Sequence, residues 1–251
     1  MNPRILVVQH EADGPPGHVG RWLLEAGCLL DVRRPYADEP LPGDLAGYDG
    51  LLVLGGAMGA NDDDQHWWLA PTKDLVRAAD ETSLPTLGIC LGHQLVATAL
   101  GGGSGRNPRG QQIGLLDVGF SDAASSDPLL SAVSATPRRG IQWNYDVVDP
   151  MPAGATVLAA TPDGEVQAAR YGEAMWGVQL HPEVDEAIVG AWVTDDERTE
   201  LADRGLDADA ILTDIEAARA ELDEAWRPLA QAFASLVHRH AGSTVGTAGH
   251  E

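Results

Sequence analysis

Positive charge is what this chain has least of. Across 251 residues, 16 lysines and arginines face 38 aspartates and glutamates, a formal charge of −22, and Lys73 is the one lysine. A surface this acidic repels polyanions, so neither nucleic acid nor an anionic membrane is an expected partner. Cysteine is nearly as scarce. Cys28 and Cys90 cannot staple a fold, and a reducing interior keeps both as thiols, so each is weighed as a nucleophile. No Cys/His cluster has zinc-ligand spacing, and nothing in the sequence calls for a metal or cofactor. No apolar run approaches the roughly 20 residues that cross a bilayer. The opening run Ile5–Val8 passes at once into Gln9, His10 and Glu11. It reads as a strand and lacks the cleavage site of a secretory signal, which makes the cytoplasm the expected location.

What is present is an alternation. Short apolar strands are predicted at Arg4–Gln9, Cys28–Val32, Tyr48–Leu54 and Pro85–Ile89, with helices at Gly17–Gly27, His66–Glu81 and Leu91–Leu100. Strand–helix alternation implies an α/β fold: a mostly parallel, flavodoxin-like sheet with helices on both faces, three layers in all. Further strands are expected at Ile113–Phe120, Gly140–Val148, Thr156–Ala160, Val166–Tyr171 and Met175–Leu180. From Val184 to His240 the pattern is helical. The expected organisation is one domain over 1–241, with its core at about 4–183 and a helical C-terminal extension over 184–241. The small, polar residues 242–251 are expected to be disordered.

Three motifs carry chemistry. Gly88-Ile89-Cys90-Leu91-Gly92 lies between a predicted strand and a predicted helix, the arrangement of a nucleophile elbow with cysteine in place of serine. So sharp a turn needs small neighbours two residues either side, and it sets the thiol at a helix N-terminus, where the dipole favours thiolate. Cys28 has no such turn and reads as an ordinary buried cysteine. Gly177–Glu183 delivers His181 at the end of an apolar strand, and Glu183, two residues on, points the same way, so it can orient the imidazole. Leu54-Gly55-Gly56-Ala57-Met58-Gly59 follows a strand directly and can turn backbone N–H groups toward an oxyanion, although a tight turn explains it equally well. His66-Trp67-Trp68 is read as packing, His93 as a residue behind the elbow, and Asp195-Asp196-Glu197 as a solvated charge run.

In this order and spacing, the motifs resemble a class I, triad-type glutamine amidotransferase domain, in its stand-alone branch often labelled GMP-synthase-like. The most specific segments are Leu91–Gly102 after the elbow and Trp176–Glu183. The resemblance implies Cys90 as nucleophile, His181 as general base and acid, and Glu183 as the orienting carboxylate. It further implies the N–H groups of Gly56 and Leu91 as oxyanion hole, with Gln94 and Gly55 contacting substrate. Two positions depart from the branch: Asn144 stands where a histidine is usual and Gln112 where a glutamate is usual. The implied activity is hydrolysis of a γ-glutamyl amide: glutamine to glutamate and ammonia, with the ammonia passed to a separate synthase chain. The alternatives are a free-standing γ-glutamyl hydrolase acting on a substituted amide, and a non-catalytic regulatory domain of the same fold.

Overall fold

The computed structural model describes residues 2–247, with side chains through residue 243. Its first half alternates as β1 (Arg4–Val8), α1 (Gly17–Glu25), β2 (Leu29–Arg33), β3 (Gly50–Val53), α2 (Leu69–Glu81), β4 (Thr86–Ile89) and α3 (Leu91–Ala99). A run of strands follows: β5 (Ser104–Arg106), β6 (Gln112–Val118), β7 (Arg138–Asn144), β8 (Asp146–Val148), β9 (Thr156–Ala160), β10 (Val166–Arg170) and β11 (Met175–Val178). The chain closes with α4 (Glu186–Trp192), α5 (Asp195–Asp203), α6 (Ala208–Ala217) and α7 (Arg219–Thr247).

The main sheet has seven strands in the order β2-β1-β3-β4-β11-β10-β9. Pairing is parallel from β2 through β11 and antiparallel from β11 to β10 to β9. This is the mostly parallel α/β architecture expected. Successive residues of β1 serve opposite faces, as strand geometry requires. Ile5 and Val7 join Trp22, Trp226 and Phe233 in one core, while Leu6 and Val8 join Leu69, Val76 and Leu95 in the other. Helices α1 and α7 therefore cover one face, and α2 and α3 the other. The strands read as continuous apolar runs because both of their faces are covered.

Three expectations need correction. The core does not close near residue 183: Trp226, Leu229, Phe233 and Val237 of α7 are fully buried with the residues of the sheet. A periodic, Ala-rich helix carries no mark of what it will pack against, so α7 read as an appendage. The same helix continues through Thr247, into the segment expected to be disordered; a formed helix needs only one further hydrogen bond for each residue it adds. Residues 248–251 lie outside the described residues. The strand expected at Gly140–Val148 is two strands. β7 pairs with β6, β8 pairs with β5, and the exchange falls at Tyr145, whose carbonyl accepts the Asn107 N–H at 2.9 Å.

Candidate active site

At the carboxyl end of β4 the chain turns sharply into α3. Cys90 occupies the turn with φ 50° and ψ −108°, a backbone conformation that L-residues avoid. The flanking glycines are required by space. A methyl group on Gly88 would collide with the backbone of Gly92 and lie 2.7 Å from the His93 nitrogen, and one on Gly92 would strike the Val53 carbonyl. The Cys90 N–H is held by the Val178 carbonyl at 2.9 Å, which ties the elbow to β11. Leu91 is the first residue of α3, where the helix offers its N–H no acceptor.

β11 ends just before His181, whose N–H is held by the Ile141 carbonyl of β7 at 2.8 Å. The His181 Nδ1 lies 2.8 Å from Glu183 Oε1, with both side chains buried. The Glu183 carbonyl in turn accepts the His18 N–H at the start of α1 at 2.8 Å. Burial opposes a charge on His181. Interaction with Cys90 and Glu183, through charge and hydrogen bonding, outweighs it and raises the pKa above that of a free histidine. His181 Nε2 is buried with no nitrogen or oxygen partner, and with Nδ1 taken by Glu183 it is the ring edge left toward Cys90. The Gly-rich turn after β3 packs directly on this pair. A methyl group on Gly55 would meet His181 Cε1 at 3.1 Å and Cys90 Cβ at 3.6 Å, and one on Gly56 would meet Leu91 Cδ2 at 3.0 Å.

A cleft of about 670 Å³ opens above these residues. Cys90, His181, Glu183, Gly55, Gly56 and Gln94 all line it. The structure therefore brings the sequence-predicted side chains together. The Gln94 amide nitrogen is engaged by the Asp146 carbonyl at 3.1 Å and by Gln179 Oε1 at 3.4 Å. The two departures are partners of one another: Asn144 Nδ2 donates to Gln112 Oε1 at 3.4 Å, and Gln112 donates to Glu165. Asn144 also lines the cleft, with its Oδ1 buried and unpartnered. His93 is fully buried against Tyr171, and Trp68 donates to His10 Nδ1 at 3.0 Å, so these aromatic and imidazole groups pack behind the site. Cys28 is buried, and burial together with the Asp49 carboxylate pushes its thiol up to about 11.

Three residues escaped the sequence reading. Gln179 is fully buried and its Nε2 lies 3.5 Å from Cys90 Sγ. Its signal was available: a polar side chain in an apolar strand, two residues before His181 and so on the same face. Trp192 packs against the His181 ring at a centroid distance of 4.9 Å with the two planes tilted by 58°, and its indole N–H donates to the Asp13 carbonyl at 2.8 Å. Glu11 accepts the Ala57 N–H at 3.1 Å and braces the Gly-rich turn. Burial raises its pKa, a cost that the Ala57 hydrogen bond partly offsets. Neither Trp192 nor Glu11 belongs to a local pattern that could have marked it.

The order of these elements defines a class, and comparison with known proteins names it. Residues 19–197 match the family model "Glutamine amidotransferase class-I", and the chain belongs to that family of cysteine hydrolases. It is 31% identical to γ-glutamyl peptidase 5 of Arabidopsis thaliana over 167 residues, 66% of each chain. It is 35% identical to one of the subunits of the glutamine-hydrolysing GMP synthase of Saccharolobus solfataricus over 161 residues, 63% of this chain and 78% of that one. The crystal structure of a glutamine amidotransferase from Thermotoga maritima superposes with a TM-score of 0.81 at 26% identity, covering 93% of this chain and 99% of that one. Another, from Methylobacillus flagellatus, gives 0.81 at 25% identity over 96% of both chains. Among the described residues, no helix is long and apolar enough to cross a membrane.

Proposed function

We propose that the chain hydrolyses a γ-glutamyl amide through Cys90, His181 and Glu183, and that its substrate is a substituted amide larger than glutamine. The observation that carries this reading is the cleft. Its volume of about 670 Å³ falls in the range that holds drug-sized ligands, and a free amino acid fills a fraction of it. Trp192 of α4 and Glu197 of α5 form part of its wall, so this chain itself shapes the space beyond the reacting amide.

In this mechanism Cys90 Sγ attacks the amide carbon at the end of the γ-glutamyl side chain. The oxygen takes up negative charge between the N–H groups of Gly56 and Leu91. Losing one such donor typically slows a reaction by about 10²–10³-fold. Protonated His181 gives its proton to the leaving nitrogen, the C–N bond breaks, and the acyl group stays on sulfur as a thioester. His181 then takes a proton from water, which attacks the thioester and releases glutamate and the free thiol. Glu183 orients the ring and stabilises its charged form. Gln94 and Gly55 are the proposed contacts to the γ-glutamyl part.

Similarity to part of a GMP synthase supports a second reading, in which the amide is that of glutamine and a separate synthase chain takes the ammonia. Steady-state assays of the purified chain separate the two. The expected result is weak release of ammonia from glutamine, much faster turnover of a substituted γ-glutamyl amide, and none of either by Cys90→Ala. A kcat on glutamine near the enzyme median of roughly 10 s⁻¹, with no partner present, would overturn the preference for a larger substrate. Normal turnover by Cys90→Ala would overturn the nucleophile.

A further inference from the structure

Resting on the hydrolase reading above, we infer that Gln179 is a further member of the catalytic machinery: its carboxamide donates to the Cys90 sulfur and favours the charged form that attacks the amide. The side chain is fully buried, and its Nε2 lies 3.5 Å from Sγ. A carboxamide can present its nitrogen or its oxygen, so what the sulfur meets depends on which way the group is turned. A chain of contacts fixes that. The Asp146 carbonyl, a main-chain group of β8, can only accept, and it takes Gln94 Nε2 at 3.1 Å. The same Gln94 nitrogen has a second N–H and faces Gln179 at 3.4 Å, where it needs an acceptor, Oε1. The Gln179 nitrogen is thereby left toward the sulfur.

The main chain holds the other end of the side chain. The Gln179 N–H is given to the Gln167 carbonyl of β10 at 2.8 Å, and the carbonyl just before it, of Val178, accepts the Cys90 N–H at 2.9 Å. Sulfur and carboxamide thus stand on backbones bonded to each other beside both residues. A buried donor makes a stronger hydrogen bond to an ionised acceptor than to a neutral one, so this contact favours thiolate over thiol and over thioester. Gln179 keeps its own protons throughout. When the thiol ionises, its proton goes to His181. When the S–C bond forms, sulfur loses its charge and the contact weakens. When water has added and that bond breaks, sulfur takes back the electron pair and the contact strengthens, which assists release of the thiol in the second half of the reaction.

Alkylation by iodoacetamide reads the sulfur without any substrate: the thiolate displaces iodide and forms an S–C bond. Rates are followed across about pH 6 to 9, with mass mapping to separate Cys90 from Cys28. In Gln179→Leu and in Gln179→Met the midpoint of the Cys90 profile is expected to rise by about one pH unit, and kcat/KM on a substituted γ-glutamyl amide at pH 7 to fall about tenfold. Gln94→Leu should move the midpoint the same way by less, because it frees the Gln179 carboxamide to turn and leaves the donor in place. Gln167→Leu alters a neighbouring buried glutamine whose side chain accepts the Gly119 N–H at 3.3 Å, and should leave the profile where it is. The ionisable groups around the sulfur are His181 with Glu183 behind it, Glu11 bonded to the Gly-rich turn, and the buried His93 of α3 and His10 after β1. Asp13, Asp62, Arg106, Asp146 and Glu197 stand along the cleft. Every variant keeps all of these, so a moved midpoint belongs to the carboxamide. An unmoved midpoint in both Gln179 variants, even with turnover reduced, would overturn the inference and leave the hydrolase reading standing. Normal turnover by Cys90→Ala would overturn both.

Discussion

Cys90 is held in a conformation that its own side chain opposes. With φ at 50° and ψ at −108° it sits in a region where non-glycine residues store about 1–3 kcal/mol of strain. The surroundings impose it: β4 and α3 are both packed, and the Cys90 N–H is committed to Val178. Glycine relieves the strain, whereas alanine retains it. Cys90→Gly is therefore expected to abolish turnover and to raise stability by about 1 kcal/mol, while Cys90→Ala abolishes turnover with stability near that of the parent. Urea titrations of the three proteins decide this. A Cys90→Gly midpoint at or below that of the parent would show that the turn is unstrained.

Among the elements, α7 is the one whose role the sequence concealed. Its buried residues Trp226, Leu229 and Phe233 share a core with Trp22 of α1 and with Ile5 and Val7 of β1. The family match ends at residue 197, so part of one helical layer of the fold lies beyond the matched region. Removing a buried aromatic ring costs about 3–5 kcal/mol, through lost burial and the cavity left behind. Phe233→Ala should lose that much in urea, and Trp67→Ala, at a side chain 51% exposed, should lose little. A Phe233→Ala protein as stable as the parent would return α7 to the status of an appendage. Helices α4 and α5 matter differently. They carry Trp192 and Glu197 to the cleft, and no local pattern in an Ala-rich, acidic segment announces that.

At the scale of the whole molecule, two buried histidines set the acid limit. Burial, with some repulsion from His66, lowers His10 to about 3, and burial alone lowers His93 to about 3. Both are neutral in the folded chain and take a proton near pH 6.5 when unfolded. The unfolded state then binds more protons, so stability falls as pH drops below 6.5 and continues to fall until about 3. Each contributes about 1.4 kcal/mol per pH unit across that window. His181, whose pKa is raised, is protonated in both states below 6.5 and adds no slope there. The urea midpoint should therefore fall steeply from pH 7 to pH 5. A midpoint unchanged over that range would mean that His10 and His93 are free to charge in the folded protein.

The division between sequence and tertiary structure follows the range of the forces involved. The elbow, the Gly-rich turn, and His181 with Glu183 two residues later were legible because each is a local demand: a sharp turn needs glycines, and a period of two sets side chains on one face. The parallel sheet was legible because strand–helix alternation leaves few other ways to bury both faces. The missed groups have partners far away in sequence. Gln179 meets a sulfur 89 residues away, Trp192 holds a carbonyl 179 residues away, and Glu11 accepts an N–H 46 residues away. The exchange of sheets at Tyr145 and the docking of α7 are of the same kind, decided by which surfaces remain bare once the local elements have formed. The sequence by itself determined the proposed reacting groups and the mostly parallel sheet that carries them. Only the folded chain decided the volume and charge of the space in front of them, because residues as far apart in sequence as Glu11 and Glu197 bound it.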